Sequence, residues 1–265
     1  MQPKIAVVVA WGGSSPGLLR LALRSIELQT SRPAEVHLVI DNVNAQYEYQ
    51  MSLPLIIHRT RGGVGPALAR NLALDNIADD IDYIAIMDAD DFSHPERLHV
   101  LSEELNSRSL DAIGSQAVLI DGGRIWLHPK RATRPDSVAK SLKLGKMPFI
   151  HSSMLFRAEI VKLGFRYPET QLRGEDLLFI RDLAAAGMRL GNSSRYLFAY
   201  RHKLVRGFEQ YRRDIEIQSS ANLTSLLGRY TLHLALRLGS AALKPTMRRQ
   251  WKRLLNNETA RTVSP

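Results

Sequence analysis

The chain has 265 residues, 45% of them hydrophobic and 23% charged, which suits one sizeable α/β core with an appendage and excludes wholesale disorder. It contains no cysteine, so a disulfide framework and any thiolate metal site are excluded. The formal net charge is +10 and unevenly placed: residues 1–202 carry 24 Lys and Arg against 22 Asp and Glu, and residues 203–265 carry 12 against 4.

Residues 4–10 form a continuous β-branched run, as expected of a strand buried on both faces, and the run is too short for a signal peptide. Pro16 starts a helix with Leu18, Leu21, Leu23, Ile26 and Leu28 on a broad apolar face. Residues 35–40 read as a second strand ending at Asp41, and residues 54–58 as a third. The turn Gly62-Gly63-Val64-Gly65-Pro66 leads into a helix through Ala67, Leu68, Leu72, Ala73 and Ile77. Residues 83–87 make a fourth strand running into Asp88-Ala89-Asp90-Asp91, with Ser93 as an expected N-cap before Pro95 and Glu96. This alternation predicts a mostly parallel sheet covered by helices. Farther on, strands are expected at 111–120, 125–128, 149–156 and 196–200, and a helix at 175–186. From Phe208 onward the spacing of Leu223, Leu226, Leu227, Tyr230, Leu234 and Leu238 predicts helix. No stretch approaches the roughly 18 apolar residues of a membrane span, and a soluble, cytoplasmic protein is the expectation.

Three clusters carry chemistry. Carboxylates one residue apart just past a parallel strand sit where open α/β sheets bind ligands, and can converge on a hard cation such as Mg²⁺ or Mn²⁺. The competing reading makes Asp91 and Ser93 helix caps and leaves Asp88 and Asp90 solvated. Gly174-Glu175-Asp176 opens an apolar helix. A carboxylate there is favoured by the helix dipole and tends to stay ionised, which suits a general base; a simple cap is the alternative. Arg59, Arg61 and the glycine turn precede Ala69-Arg70-Asn71, and exposed N–H groups and guanidinium forks partner a diphosphate or nucleotide. An ordinary turn with surface arginines is the alternative there. The spacing matches neither a P-loop nor a dinucleotide fingerprint.

Taken in order, these elements resemble the family 2 glycosyltransferases of the GT-A fold over about residues 4–202. The matching pieces are VVVA, a second strand ending in Asp41, GxxxARN at 65–71, MDADD, PERL at 95–98, HSSMLFR at 151–157, GEDLLFIRDLAAAG and YRH at 200–202. The resemblance implies a Rossmann-like mixed sheet flanked by helices, forming a catalytic domain over 1–202. The basic α-helical extension that follows over 203–265 lies outside the resemblance and rests on the apolar spacing alone. The resemblance implies a metal-dependent, inverting hexosyltransferase that moves a sugar from a nucleoside diphosphate, UDP by family habit, to a hydroxyl of a glycan or lipid-linked acceptor. Bacterial polysaccharide or lipopolysaccharide synthesis is the setting it suggests. By position, Asp41 and Asp88 would bind the base or ribose, with Trp11, Arg70 and Ala89 on the nucleotide-sugar side. Asp90 would ligate Mn²⁺ or Mg²⁺, and His202 either joins it or merely ends a strand. Asp176 would be the base, with Glu175 orienting it or contacting the acceptor. His151 lines the acceptor side or is structural.

Two departures stand out: Asp41-Asn42-Val43-Asn44 replaces the usual acidic pair followed by Gly-Ser, and the first loop is WGGSSP. The alternatives are a noncatalytic nucleotide-sugar-binding relative, a sugar nucleotidyltransferase lacking its glycine-rich start, and a basic nucleic-acid-binding protein. The last has no recognition motif here, so no nucleic-acid partner is expected. The tail either docks peripherally on the inner face of an anionic membrane or packs on the catalytic domain or a second subunit as a homo-oligomer; packing is slightly favoured.

Overall fold

The structure is a computed structural model that describes residues 2–121, 124–169 and 174–201. In chain order the elements are β1 (Ile5–Trp11), α1 (Pro16–Glu27), β2 (Glu35–Ile40), β3 (Leu55–Arg59), α2 (Pro66–Leu74), β4 (Tyr83–Asp88), β5 (Phe92–Ser93) and α3 (Arg97–Ser107). Then come β6 (Ala112–Asp121), β7 (Arg124–Leu127), α4 (Pro135–Lys143), a 3₁₀ turn (His151–Ser153), β8 (Leu155–Arg157), α5 (Glu159–Lys162), α6 (Glu175–Ala185) and β9 (Leu190–Arg201).

The strands form one mixed sheet in the order β3-β2-β1-β4-β8-β6-β9-β5, with β7 paired to β6 outside that path. The first four neighbours are parallel; β8 runs antiparallel to both β4 and β6, so those two point the same way. Strand alternation divides the core between the two faces. Ile5, Val7, Val9 and Trp11 pack with α1 and α3 on one side, whereas Ala6 and Val8 pack with α2, α4, α5 and α6 on the other. This is the expected mixed sheet flanked by helices.

Arg97, at the start of α3, is buried where β4 meets β8. Its Nη2 donates to the carbonyls of Ile86 (2.7 Å) and Met154 (3.2 Å), and its guanidinium lies 5.0 Å from the Phe198 ring. Burial pulls its pKa down to about 9, which still leaves it charged at neutral pH.

Several sequence-based expectations are corrected. The strand expected over 149–156 is a three-residue β8 preceded by the 3₁₀ turn, because Ser153 turns its hydroxyl back to the Ile150 carbonyl (2.6 Å) and receives the Ser115 N–H (3.0 Å). Ser93 caps no helix: it pairs with Phe198 in β5, and α3 begins only at Arg97. The last strand is twelve residues long, beginning at Leu190 instead of 196, and α4 and α5 were not foreseen. The tail from 203 and the domain boundary drawn at 202 lie outside the described residues.

Candidate active site

The glycine turn between β3 and α2 is held by Asp41. Its carboxylate accepts the N–H groups of Val64 (3.0 Å) and Gly65 (2.9 Å) and the hydroxyl of Thr60. Gly62, Gly63 and Gly65 all take positive φ, a conformation that favours glycine. Asp41 therefore organises the turn from within. Pro66 then starts α2, which brings Arg70 and Asn71 to its inner side, both buried.

Arg70 is the centre of the arrangement. Its Nη2 donates to Asp88 Oδ1 at the end of β4 (3.0 Å), and its Nη1 to Glu175 Oε1 at the start of α6 (2.9 Å). Asp88 is about one-third exposed at its side chain (34%), whereas Arg70 and Glu175 are nearly enclosed (7% and 10%). The guanidinium also lies 5.4 Å from the ring centroid of Tyr167, which stacks on Phe179 of α6 at 4.3 Å. Asn71 fastens the same wall, donating to the Tyr167 carbonyl (2.9 Å) and accepting its N–H (2.9 Å).

Gly174, at φ 77°, turns the chain into α6. Asp176 follows Glu175, and its Oδ1 accepts the Leu177 N–H at 2.8 Å. Burial, then the Glu175 charge, pushes the Asp176 pKa up to about 6; the Leu177 N–H and Arg70 pull the other way. Desolvation thus raises the pKa against the helix dipole, and at about 6 the carboxyl is still mostly ionised at neutral pH. A carboxyl poised near 6 is half-converted to base just below neutral pH.

His151 is buried, and its Nε2 shares a hydrogen bond of 2.8 Å with the Tyr167 hydroxyl. Burial, with Arg70 nearby, holds its pKa well below the ordinary value, so the imidazole is neutral. Tyr167 went unnoticed in the sequence. Its only signal is an aromatic residue ahead of Pro168, too common to single out.

The DADD loop splits by exposure. Asp90 faces solvent, and its carbonyl accepts Arg201 Nε at 3.0 Å. Asp91 is buried and accepts the Ser152 hydroxyl (2.8 Å) and the Arg201 N–H (2.8 Å), tying the loop to the end of β9. Burial, reinforced by Asp88 and Asp90, pushes the Asp91 carboxyl up. Ala89, between Asp88 and Asp90, is partly buried against the α1 side of the core. His202 lies outside the described residues.

Trp11 is placed on the other face of the sheet from Arg70. It is 2% exposed and its indole N–H is spent on the Ser14 carbonyl (2.6 Å). It borders a cavity of about 370 Å³ between α1 and residues 44–49.

Asp88 and Asp90 offer hard carboxylate oxygens at a solvent-facing loop, which is the donor chemistry of Mg²⁺ and Mn²⁺. Among the described residues no group of three or more His, Asp or Glu converges on one point. Mg²⁺ is commonly bound by one or two carboxylates together with substrate phosphates, so this donor set fits such an ion.

The sequence model described as Glycosyl transferase family 2 matches residues 7–165, more than half of the chain. The chain belongs to glycosyltransferase family 2. Among family relatives, the succinoglycan biosynthesis protein ExoW of Rhizobium meliloti (strain 1021) is 27% identical over 212 residues, covering 71% of this chain. The chain spans 65% of the length of that relative. The uncharacterized glycosyltransferase MJ1057 of Methanocaldococcus jannaschii is 29% identical over 209 residues, covering 76% of this chain and 71% of its own length. The fold is shared with S. aureus TarS 1-349, solved in complex with UDP, at TM-score 0.61 and 20% identity over 96% of this chain and 80% of that one. It is also shared with the mannosyltransferase PcManGT of Pyrobaculum calidifontis, solved with GDP-Man and Mn²⁺, at TM-score 0.58 and 16% identity over 92% and 67% of the two chains. The expected GT-A architecture and family 2 membership both hold.

Proposed function

We propose that the chain is an inverting hexosyltransferase that takes a sugar from a nucleoside diphosphate donor, UDP first among them, and passes it to a hydroxyl of a glycan or lipid-linked acceptor in polysaccharide or lipopolysaccharide synthesis. The observation that carries this reading is the Arg70 bridge, which ties Asp88 at the end of β4 to Glu175, next to Asp176. One guanidinium thus fastens a donor-side carboxylate to the helix that presents a base. The nucleotide complexes of TarS and PcManGT support a donor of this class, and ExoW supports a biosynthetic setting.

In this reading Asp176 takes the proton of the acceptor hydroxyl while that oxygen attacks the anomeric carbon. The new C–O bond forms on the face opposite the diphosphate, the old one breaks, and its electron pair leaves with the nucleoside diphosphate. The configuration inverts without a sugar–enzyme bond. Glu175, gripped by Arg70, orients Asp176 and borders the acceptor. Asp88 and Ala89 meet the nucleotide sugar, and Arg70 acts on the donor by fixing Asp88. Asp41 serves the nucleotide through the turn it braces. The neutral His151, held by Tyr167, braces the acceptor wall. A Mn²⁺ or Mg²⁺ ion held by Asp90, with His202 as a further ligand, would neutralise charge on the departing diphosphate when bound.

The test is a panel of nucleotide sugars with Mn²⁺, run with the parent chain, Asp90→Ala and Asp176→Ala. Release of nucleoside diphosphate from one donor, lost in both variants and dependent on the metal, is expected. A parent that neither binds nor turns over any donor would sink the reading.

A further inference from the structure

Positive charge within the body is concentrated in one stretch. Residues 124–146 hold seven Lys and Arg and a single acid, Asp136, while the rest of residues 1–202 hold 17 against 21. The near-neutral body is therefore a slightly acidic one carrying a strongly basic segment. In α4, Val138 and Leu142 are buried four residues apart, so Lys140 and Lys143 stand on the outward side. Gly145, at φ 65°, closes the helix: its N–H reaches the Leu142 carbonyl (2.9 Å), and the Lys146 N–H reaches that of Ser141 (2.9 Å). This folds Lys146 back beside the last turn, with Leu144 exposed (41%) between the two lysines.

Among the described residues none of Arg124, Lys130, Arg134, Lys140, Lys143 and Lys146 forms an ion pair, and all six are exposed. Lysines near a helix C-terminus are favoured by the dipole, but Arg134 sits at the opposite end, where a cation is disfavoured. Helix stability therefore does not account for the set. Nor do residues 203–265 supply countercharge, since they add twelve cations and only four acids.

We propose that the outward side of α4 and its closing turn, with Arg134, Lys140, Lys143, Lys146 and Leu144, is an electrostatic docking surface for an anionic phospholipid membrane. Three of the four cations are lysines, hydrated point charges that suit long-range attraction to a charged plane more than bidentate recognition. Arg134 and Lys146 flank the helix that carries Lys140 and Lys143, and no aromatic side chain of residues 124–146 is exposed, so this stretch offers no stacking platform for nucleobases or sugar rings. The apolar side of α4 is already buried in the protein, which makes the attachment one of charge, with Leu144 as its single apolar contact. Such attachment is reversible and weakens with salt. α4 packs on the same side of the sheet as α6, so docking here turns that side of the protein toward the lipid. The proposal is independent of the transfer reading, because vesicle binding is measured without donor or acceptor.

The test is co-sedimentation of the full chain with phosphatidylcholine vesicles, with and without phosphatidylglycerol, at low and high salt. The parent is expected to bind only the anionic vesicles and to release in high salt. Lys140→Glu/Lys143→Glu/Lys146→Glu should weaken that binding by at least about tenfold at an unchanged melting temperature, with the triple Gln variant falling between. A triple Glu variant that binds like the parent assigns the attachment to residues 203–265 and overturns the proposal. So does a parent that leaves anionic vesicles unbound, including one that binds only a soluble acidic polymer.

Discussion

Burial and the Glu175 carboxylate hold Asp176 near 6, and that single perturbation makes two separable predictions. In the proposed role Asp176 must be ionised to act as a base, so kcat/KM is expected to rise with pH through about 6 and level off above it. Asp176→Asn should cost about 10²- to 10⁴-fold in kcat, with donor binding retained. The second prediction concerns stability. A carboxyl whose folded pKa is raised loses stability as pH rises from the ordinary carboxylate range through that raised value. Asp176→Asn removes the ionised group, so its melting temperature should exceed the parent's at pH 7 and match it near pH 4. Melting curves at the two pH values decide it; an equal difference at both would remove burial as the cause of the shift. The residue types at this site were legible because carboxylates at strand and helix ends are few. Their states were not, since Asp176 is desolvated by tertiary packing and, beyond its neighbour Glu175, feels Arg70 and Asp88, which the sequence places far from it. Asp41 shows the same limit: that its carboxylate braces the glycine turn through the Val64 and Gly65 N–H groups is visible only in the fold.

At the scale of elements, β1, β2 and β4 were readable because both of their faces are buried, which leaves uninterrupted apolar runs. The later strands are built differently. Asn192 and Ser193 are fully buried at the start of β9, and Gln116 of β6 bonds to the Ser193 carbonyl (3.0 Å) and to the main chain of Arg131. Polar closure of this kind has no periodicity, so β9 looked half its length. The pairing of β6 with β9 also shifts register beside Gly114. A Cβ on Gly114 would stand 2.5 Å from the Phe149 side chain, so the glycine lets Phe149 press against bare backbone. Gly114→Ala is therefore expected to destabilise the fold by about 1–3 kcal/mol, read from the urea midpoint at unchanged m-value. A midpoint equal to the parent's would mean that Phe149 moves aside freely.

Across the whole molecule, the order of the motifs reveals the family, while the contact that joins them is visible only in three dimensions. Arg70 belongs to the β1–β4 half, and Glu175 to the half built on β6, β8 and β9. Replacing Arg70 with Met leaves Glu175 enclosed and Asp88 half-enclosed, neither with its cation. Removing one partner of a buried ion pair costs about 3–5 kcal/mol, because the remaining charge is stranded. Arg70 also opposes the rise in the Asp176 pKa, so its loss should move the acidic limb of kcat/KM above 6. Arg70→Lys keeps a positive charge but not the fork that spans two carboxylates, so it should hold the limb near its place while losing part of the stability. Adding Glu175→Gln to Arg70→Met should restore stability, since one stranded charge is gone, and the double-mutant cycle measures the coupling directly. A limb that stays put in Arg70→Met while the melting temperature falls would reduce Arg70 to a strut between the halves. Movement of both would make it the group that sets the proton affinity of the proposed base from the β1–β4 half of the sheet.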